Sequence, residues 1–116
     1  MNGNNLDLKD VVALCSRAKL ADRSMTFDSF GTDEVRIDTM EFLYSIGKSI
    51  EDAEKIVNEI EIGDYVAGPC RHYDSNKKER LLWIFKKDAF GLKLYIKVLP
   101  YNKNRYIAVV SFHEDR

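Results

Sequence analysis

Three runs rich in β-branched and aromatic residues follow one another between Leu81 and His113, LLWIFKKDAFGLKLYIKVLPYNKNRYIAVVSFH, with turn signals at Asp88–Gly91 and Pro100–Asn104. That spacing predicts three consecutive antiparallel strands. The turns set the register. A two-residue turn at Phe90–Gly91 pairs Ala89 with Leu92, Lys86 with Tyr95 and Ile84 with Lys97. A five-residue loop from Pro100 to Asn104 pairs Leu99 with Arg105, sets Tyr95 against Val109 and brings His113 beside Gly91. Side chains alternate between the two faces of a strand. One face should therefore collect Trp83, Phe85, Leu94, Ile96, Val98, Ala108, Val110 and Phe112, all apolar. The other should collect Lys86, Lys93, Tyr95, Lys97, Ser111 and His113, with Ile84, Ile107 and Val109 among them. A slip of one residue would exchange the faces.

The apolar face needs a cover, and the first half of the chain supplies helices for it. Leu8, Val11, Val12, Cys15 and Ala18 recur at helical spacing between about Asp7 and Lys19. Met25, Phe27 and Ser29 alternate with Thr26, Asp28 and Phe30 in a short strand within Ser24–Phe30, and Gly31–Thr32–Asp33 breaks it. A second helix is expected from about Val35 or Asp38 to Ile46, with Met40 and Leu43 inward and Gly47 at its C-terminal end. Ser49 suits an N-cap, followed by Glu51 and Asp52 at the positive end of the dipole and a buried stripe of Ala53, Ile56, Val57 and Ile60. Cys70–Arg80, CRHYDSNKKER, reads as a loop. The fold class is α+β: an antiparallel sheet, made of the three-strand meander and the short N-terminal strand, with helices packed on one face.

The 116 residues are expected to form one domain, residues 1–116. No apolar run approaches the ~20 residues of a membrane span. The start, MNGNNLDLKD, lacks the basic-then-apolar order of a signal peptide, so the expected location is the cytoplasm. There Cys15 and Cys70 would be reduced thiols. The net charge of −1 conceals a division. Residues 65–116 hold 11 Lys and Arg against 5 Asp and Glu, a net of +6, whereas residues 1–64 hold 7 against 14, a net of −7. A basic strand-rich half suits an anionic ligand, nucleic acid being the usual one; lysines that discourage edge pairing would give the same count.

The chain has no phosphate loop, dinucleotide fingerprint, nucleophile elbow or zinc spacing, and an enzyme built from it should need neither metal nor organic cofactor. RNA cleavage fits that condition. The 2′-hydroxyl attacks the adjacent phosphorus, a base takes its proton, cations stabilise the phosphorane, and an acid protonates the leaving 5′-oxygen. Lys86, Tyr95, Lys97 and His113 on one face are side-chain types that serve this chemistry.

Four blocks carry a resemblance: Asp64-Tyr65-Val66-Ala67-Gly68-Pro69, Leu82-Trp83-Ile84-Phe85-Lys86-Lys87, Gly91-Leu92-Lys93-Leu94-Tyr95-Ile96-Lys97 and Ser111-Phe112-His113-Glu114. In order and spacing they resemble the MqsR-type toxins of bacterial type II toxin–antitoxin pairs, mRNA interferases with a RelE-like fold. The likeness covers roughly the second half of the chain. It implies a metal-independent endoribonuclease, an antitoxin partner encoded nearby and an RNA substrate. The family's tyrosine falls on Tyr95, the lysine two residues on falls on Lys97, and the terminal basic residue falls on His113. A lysine of some members falls on Ala67, and a glutamine falls on Ile84. Lys86, opposite Tyr95, would replace the missing cation.

The expected catalytic set is therefore Tyr95, Lys97, His113 and Lys86, with Lys93, Tyr65, Arg71, Lys77, Lys78 and Arg80 contacting RNA and no metal site. Three of them have a plainer reading: Tyr95 a half-exposed strand tyrosine, His113 a frayed residue, Tyr65 a structural ring. Ala67 and Ile84 motivate the alternative function, a non-catalytic interaction module on the same fold that binds a protein or RNA.

Overall fold

Two capping boxes fix where two of the helices begin. In a computed structural model that describes residues 6–27, 34–71, 81–101 and 103–115, Asp7 and Ser49 lie immediately before α1 (Leu8–Arg17) and α3 (Ile50–Asn58). The Asp7 carboxylate accepts from the Asp10 backbone N–H at 3.0 Å, and the Asp10 carboxylate accepts from that of Asp7 at 3.2 Å. Ser49 and Asp52 repeat the exchange at 3.2 and 2.9 Å. Each box satisfies donors that a helix start leaves without an intrahelical partner. Between them, α2 (Glu34–Ser45) ends at Gly47, whose φ of +72° suits glycine. The Gly47 N–H bonds to Tyr44 O and the Lys48 N–H to Leu43 O, the paired bonds of a Schellman end.

The inward faces match the spacing, with two changes. Val11, Leu14, Cys15 and Ala18 of the α1 region are buried, as are Ala53, Val57 and Ile60 of the α3 region. Leu14 joins the expected stripe. In α2, Thr39 and Leu43 are buried, while Met40, expected inward, is exposed. Asn58 fastens α3 to α1 by donating to the carbonyls of Cys15 (2.7 Å) and Ala18 (2.9 Å), two acceptors at a helix end.

The sheet has five strands in the order β1–β5–β4–β3–β2. These are β1 (Met25–Thr26), β2 (Tyr65–Arg71), β3 (Leu81–Ala89), β4 (Leu92–Tyr101) and β5 (Tyr106–Glu114). Strands β2 to β5 pair antiparallel and β1 lies parallel to β5, so the sheet is mixed. The antiparallel run is thus four strands long rather than three. Cys70 and Arg71, read as loop, belong to β2. β2 also holds Gly68 and Pro69, which an edge strand tolerates. Gly68, at φ +134°, lies so close to β3 that a Cβ there would come within 2.8 Å of Leu82 O.

The β3–β4 register agrees with the sequence: Ala89↔Leu92, Lys86↔Tyr95 and Ile84↔Lys97. Phe90 and Gly91 both have positive φ, as the tight hairpin turn requires. The β4–β5 register does not agree. Tyr101 pairs with Tyr106, and Leu99 with Ala108 rather than Arg105. Pro100, read as a turn residue, is inside β4, beyond Trp83↔Val98, the last β3–β4 pair. Its missing N–H interrupts no ladder with β3 there.

A second departure follows within the same pair. Lys97 faces Ser111 while Val98 faces Val109, so Val110 is an extra residue in β5, a bulge. The bulge reverses the faces beyond it. Ile107 and Val109, expected among the cationic residues, are buried with the helices in the main core; Ala108 and Val110, expected in that core, belong to a smaller cluster with Leu82 and Leu99. Trp83, Phe85, Leu94, Ile96, Val98 and Phe112 lie in the main core, as expected.

Candidate functional site

Because the register returns to an even offset below the bulge, the face opposite the helices carries two cross-strand rows. Lys86 of β3 faces Tyr95 of β4, and Tyr95 faces His113 of β5. In the neighbouring row Ala67 of β2 faces Ile84, Ile84 faces Lys97, and Lys97 faces Ser111. The sequence had placed Tyr95 opposite Val109 and His113 beside Gly91. The observed pairing joins these two residues directly.

Tyr95 and His113 stack, with ring centroids 5.3 Å apart and planes inclined by 12°. Nζ of Lys97 stands 5.8 Å from the centroid of the Tyr95 ring, within cation–π range. His113 Nδ1 lies 2.9 Å from the carbonyl oxygen of Glu114. A carbonyl only accepts, so Nδ1 carries hydrogen in this contact, and in a neutral ring Nε2 is the nitrogen that takes up a proton. His113 is not frayed: it is a ladder residue of β5, next to Phe112, which is fully buried and packs near the rings of Phe27 and Phe42.

His113 also forms the lip of an open cleft of about 570 Å³ between α2 and β5. Asp38, Glu41 and Glu114 line that cleft with Phe42, Ser45 and Ile46. These carboxylates repel a polyanion, whereas the opposite side of the Tyr95–His113 stack carries lysines.

The cations on that side are not equally free. Lys86 forms an ion pair with Asp115 at 3.1 Å, and Lys93 with Asp88 at 2.9 Å. The hydrogen bond and charge of Asp88 raise the Lys93 pKa above the ordinary lysine value. Lys97 has no carboxylate partner among the described residues. Sequence reasoning passed over Asp88 and Asp115, although period-two alternation from Lys86 and from His113 puts both on this face.

Tyr65 is separated from the cluster. It pairs with Phe85, and its ring lies near Trp83 and Phe85 on the helix side; its hydroxyl donates to Gly68 O at 2.7 Å. Nearby, Lys87 meets Asp64 at 3.2 Å, and the same carboxylate accepts from the Glu61 N–H. The Asp64 and Lys87 positions of the sequence blocks are thus joined in one structural contact. Arg71 ends β2 opposite Leu81; its side chain, like Lys77, Lys78 and Arg80, lies outside the described residues. Among the described residues no three of His, Cys, Asp and Glu gather to hold a metal ion, and no helix is long and apolar enough to cross a membrane.

Comparisons with protein-family models, with curated proteins and with solved structures give no match to this chain.

Proposed function

We propose that this chain is an RNA-cleaving toxin of the MqsR type, with a RelE-like sheet, that acts in the cytoplasm and is held silent by an antitoxin. The observation that carries the reading is the continuous row Lys86–Tyr95–His113, with Lys97 beside it over the Tyr95 ring. Four side chains suited to transphosphorylation meet on the sheet face opposite the helices; Tyr95, Lys97 and His113 stand at positions that match the resemblance, and Lys86 adds a cation beside them.

The roles follow from chemistry. His113, with Nδ1 engaged, takes the 2′-hydroxyl proton at Nε2. The 2′-oxygen bonds to phosphorus, and the bond to the 5′-oxygen breaks. Lys97 stabilises charge on the phosphorane. Tyr95 gives a proton to the departing 5′-oxygen, and Lys86 holds a non-bridging phosphate oxygen. The products are a 2′,3′-cyclic phosphate and a 5′-hydroxyl.

A second reading keeps the fold and drops the chemistry: an interaction module that binds a protein or RNA. It is favoured by Ala67 and Ile84, which place two apolar side chains in the same row as Lys97. Expression in a bacterial host separates the two. Induction of the wild type should arrest growth and shorten cellular mRNA, co-expression of the protein encoded by the adjacent reading frame should restore both, and His113→Gln should be harmless. Normal growth with intact mRNA on induction of soluble wild type would leave the interaction module as the reading.

A further inference from the structure

We infer that Lys86 marks the seat of an RNA phosphate and that the Asp115 carboxylate occupies this seat in the free protein. The inference rests on the RNA-cleaving reading and adds to it a subsite and a built-in competitor.

Asp115 follows β5, and its backbone N–H donates to Lys93 O at 2.8 Å, which carries the β4–β5 ladder one residue past the strand. The carboxylate is therefore delivered by a fixed backbone. It lies 3.1 Å from Lys86 Nζ, with about 39% of the Lys86 side chain and 25% of the Asp115 side chain exposed. Two oxygens on a planar carboxylate present to an ammonium what two non-bridging oxygens of a phosphodiester present.

The register gives this contact a direction. Along β4, Tyr95 stands between Lys93 and Lys97, and Asp115 bonds on the Lys93 side. Reaching Asp115, Lys86 leans towards Lys93 and away from the row that holds Lys97. Asp115 thus neutralises one cation beside the Tyr95–His113 stack and also turns it away from the other. A surface ion pair of this exposure contributes little to folding, so an incoming phosphate exchanges for the carboxylate at small cost, and Lys86 then swings back over Tyr95.

The test uses the whole chain and a fluorescent single-stranded 2′-O-methyl RNA, which binds but lacks the free hydroxyl needed for cleavage. Asp115→Asn keeps the backbone bond and removes the charge. Its affinity should rise about fivefold, the scale of one exposed charge contact, and its salt dependence should steepen by about 0.7 in log–log slope, one added phosphate contact on a single strand. Both gains should vanish when Lys86→Ala is added. Asp88→Asn, which removes a carboxylate from the same face beside Lys93, should give a smaller rise that does not depend on Lys86. If the wild type binds and Asp115→Asn binds no better, or if its gain survives Lys86→Ala, the seat is wrong while RNA binding stands. If neither the wild type nor any variant binds, the RNA-cleaving reading itself fails.

Discussion

His113 is held in place by its neighbour in sequence. Phe112 is fully buried beneath α2 and the β1 region, so the strand cannot rotate there, and the next side chain must face the open side against Tyr95. Ala67 tests the row beside it. It is paired with Ile84, which is paired with Lys97. Ala67→Lys adds a cation to a row that has one, and the cleavage rate should rise about tenfold if phosphate stabilisation limits it; rates of labelled RNA cleavage by the two proteins measure this. Cys15 has no such role. Burial pushes its thiol up to about 12. A folded-state value above the unfolded one means that the burial contribution is fully present below about pH 8.5 and is lost as pH rises towards 12. Wild-type melting temperature should therefore fall above pH 9 more steeply than that of Cys15→Ala, and iodoacetamide at pH 8 should label Cys70 but not Cys15 until the protein unfolds. A native Cys15 that alkylates as fast as Cys70 would contradict its burial.

At the scale of elements, the helical layer depends on a few polar contacts besides its apolar stripe. Asn58→Ala removes both donors from the Cys15 and Ala18 carbonyls and should destabilise the fold by about 1–3 kcal/mol, read by urea denaturation. The helices were legible because their ends carry chemical marks: Asp7, Gly47 and Ser49 each stand where a helix starts or stops. The β3–β4 hairpin was legible for the same reason at Phe90–Gly91. The β4–β5 pair was not. Ile107, Ala108, Val109 and Val110 are four apolar residues in a row, and a run without polar members carries no period-two signal to reveal the extra residue at Val110. Pro100 was given its usual meaning as a turn residue, although a strand that has outrun its partner tolerates it. The two errors together displaced His113 by four positions along β4, placing it beside Gly91 instead of Tyr95. An even displacement keeps parity, so the cationic face survived the misreading, and the lost part was the direct contact between Tyr95 and His113. The ion pairs of Asp88 and Asp115 were not legible, because alternation assigns a residue to a face without fixing which lysine its side chain reaches.

At the scale of the molecule, the charge division of the sequence becomes a spatial one. The acidic half builds the helices and, through Asp38 and Glu41, one wall of the cleft at His113; the basic half builds β2 to β5. The Tyr95–His113 stack stands at the border, with Lys86, Lys93 and Lys97 on one side and the cleft carboxylates Asp38, Glu41 and Glu114 on the other. Such a border suits a site that must hold phosphate and still move protons, since lysine charge alone binds RNA without cutting it. The most direct test is cleavage of an end-labelled RNA by purified protein in EDTA, with analysis of the product ends. Wild type should leave 2′,3′-cyclic phosphate and 5′-hydroxyl ends. Lys97→Ala should slow the reaction roughly 10²-fold, His113→Gln should abolish most of it near neutral pH, and Lys9→Ala, exposed on α1, should cut like wild type. Failure of the wild type to cleave any of a varied set of RNAs, or cleavage indifferent to Tyr95, Lys97 and His113 alike, would contradict the account.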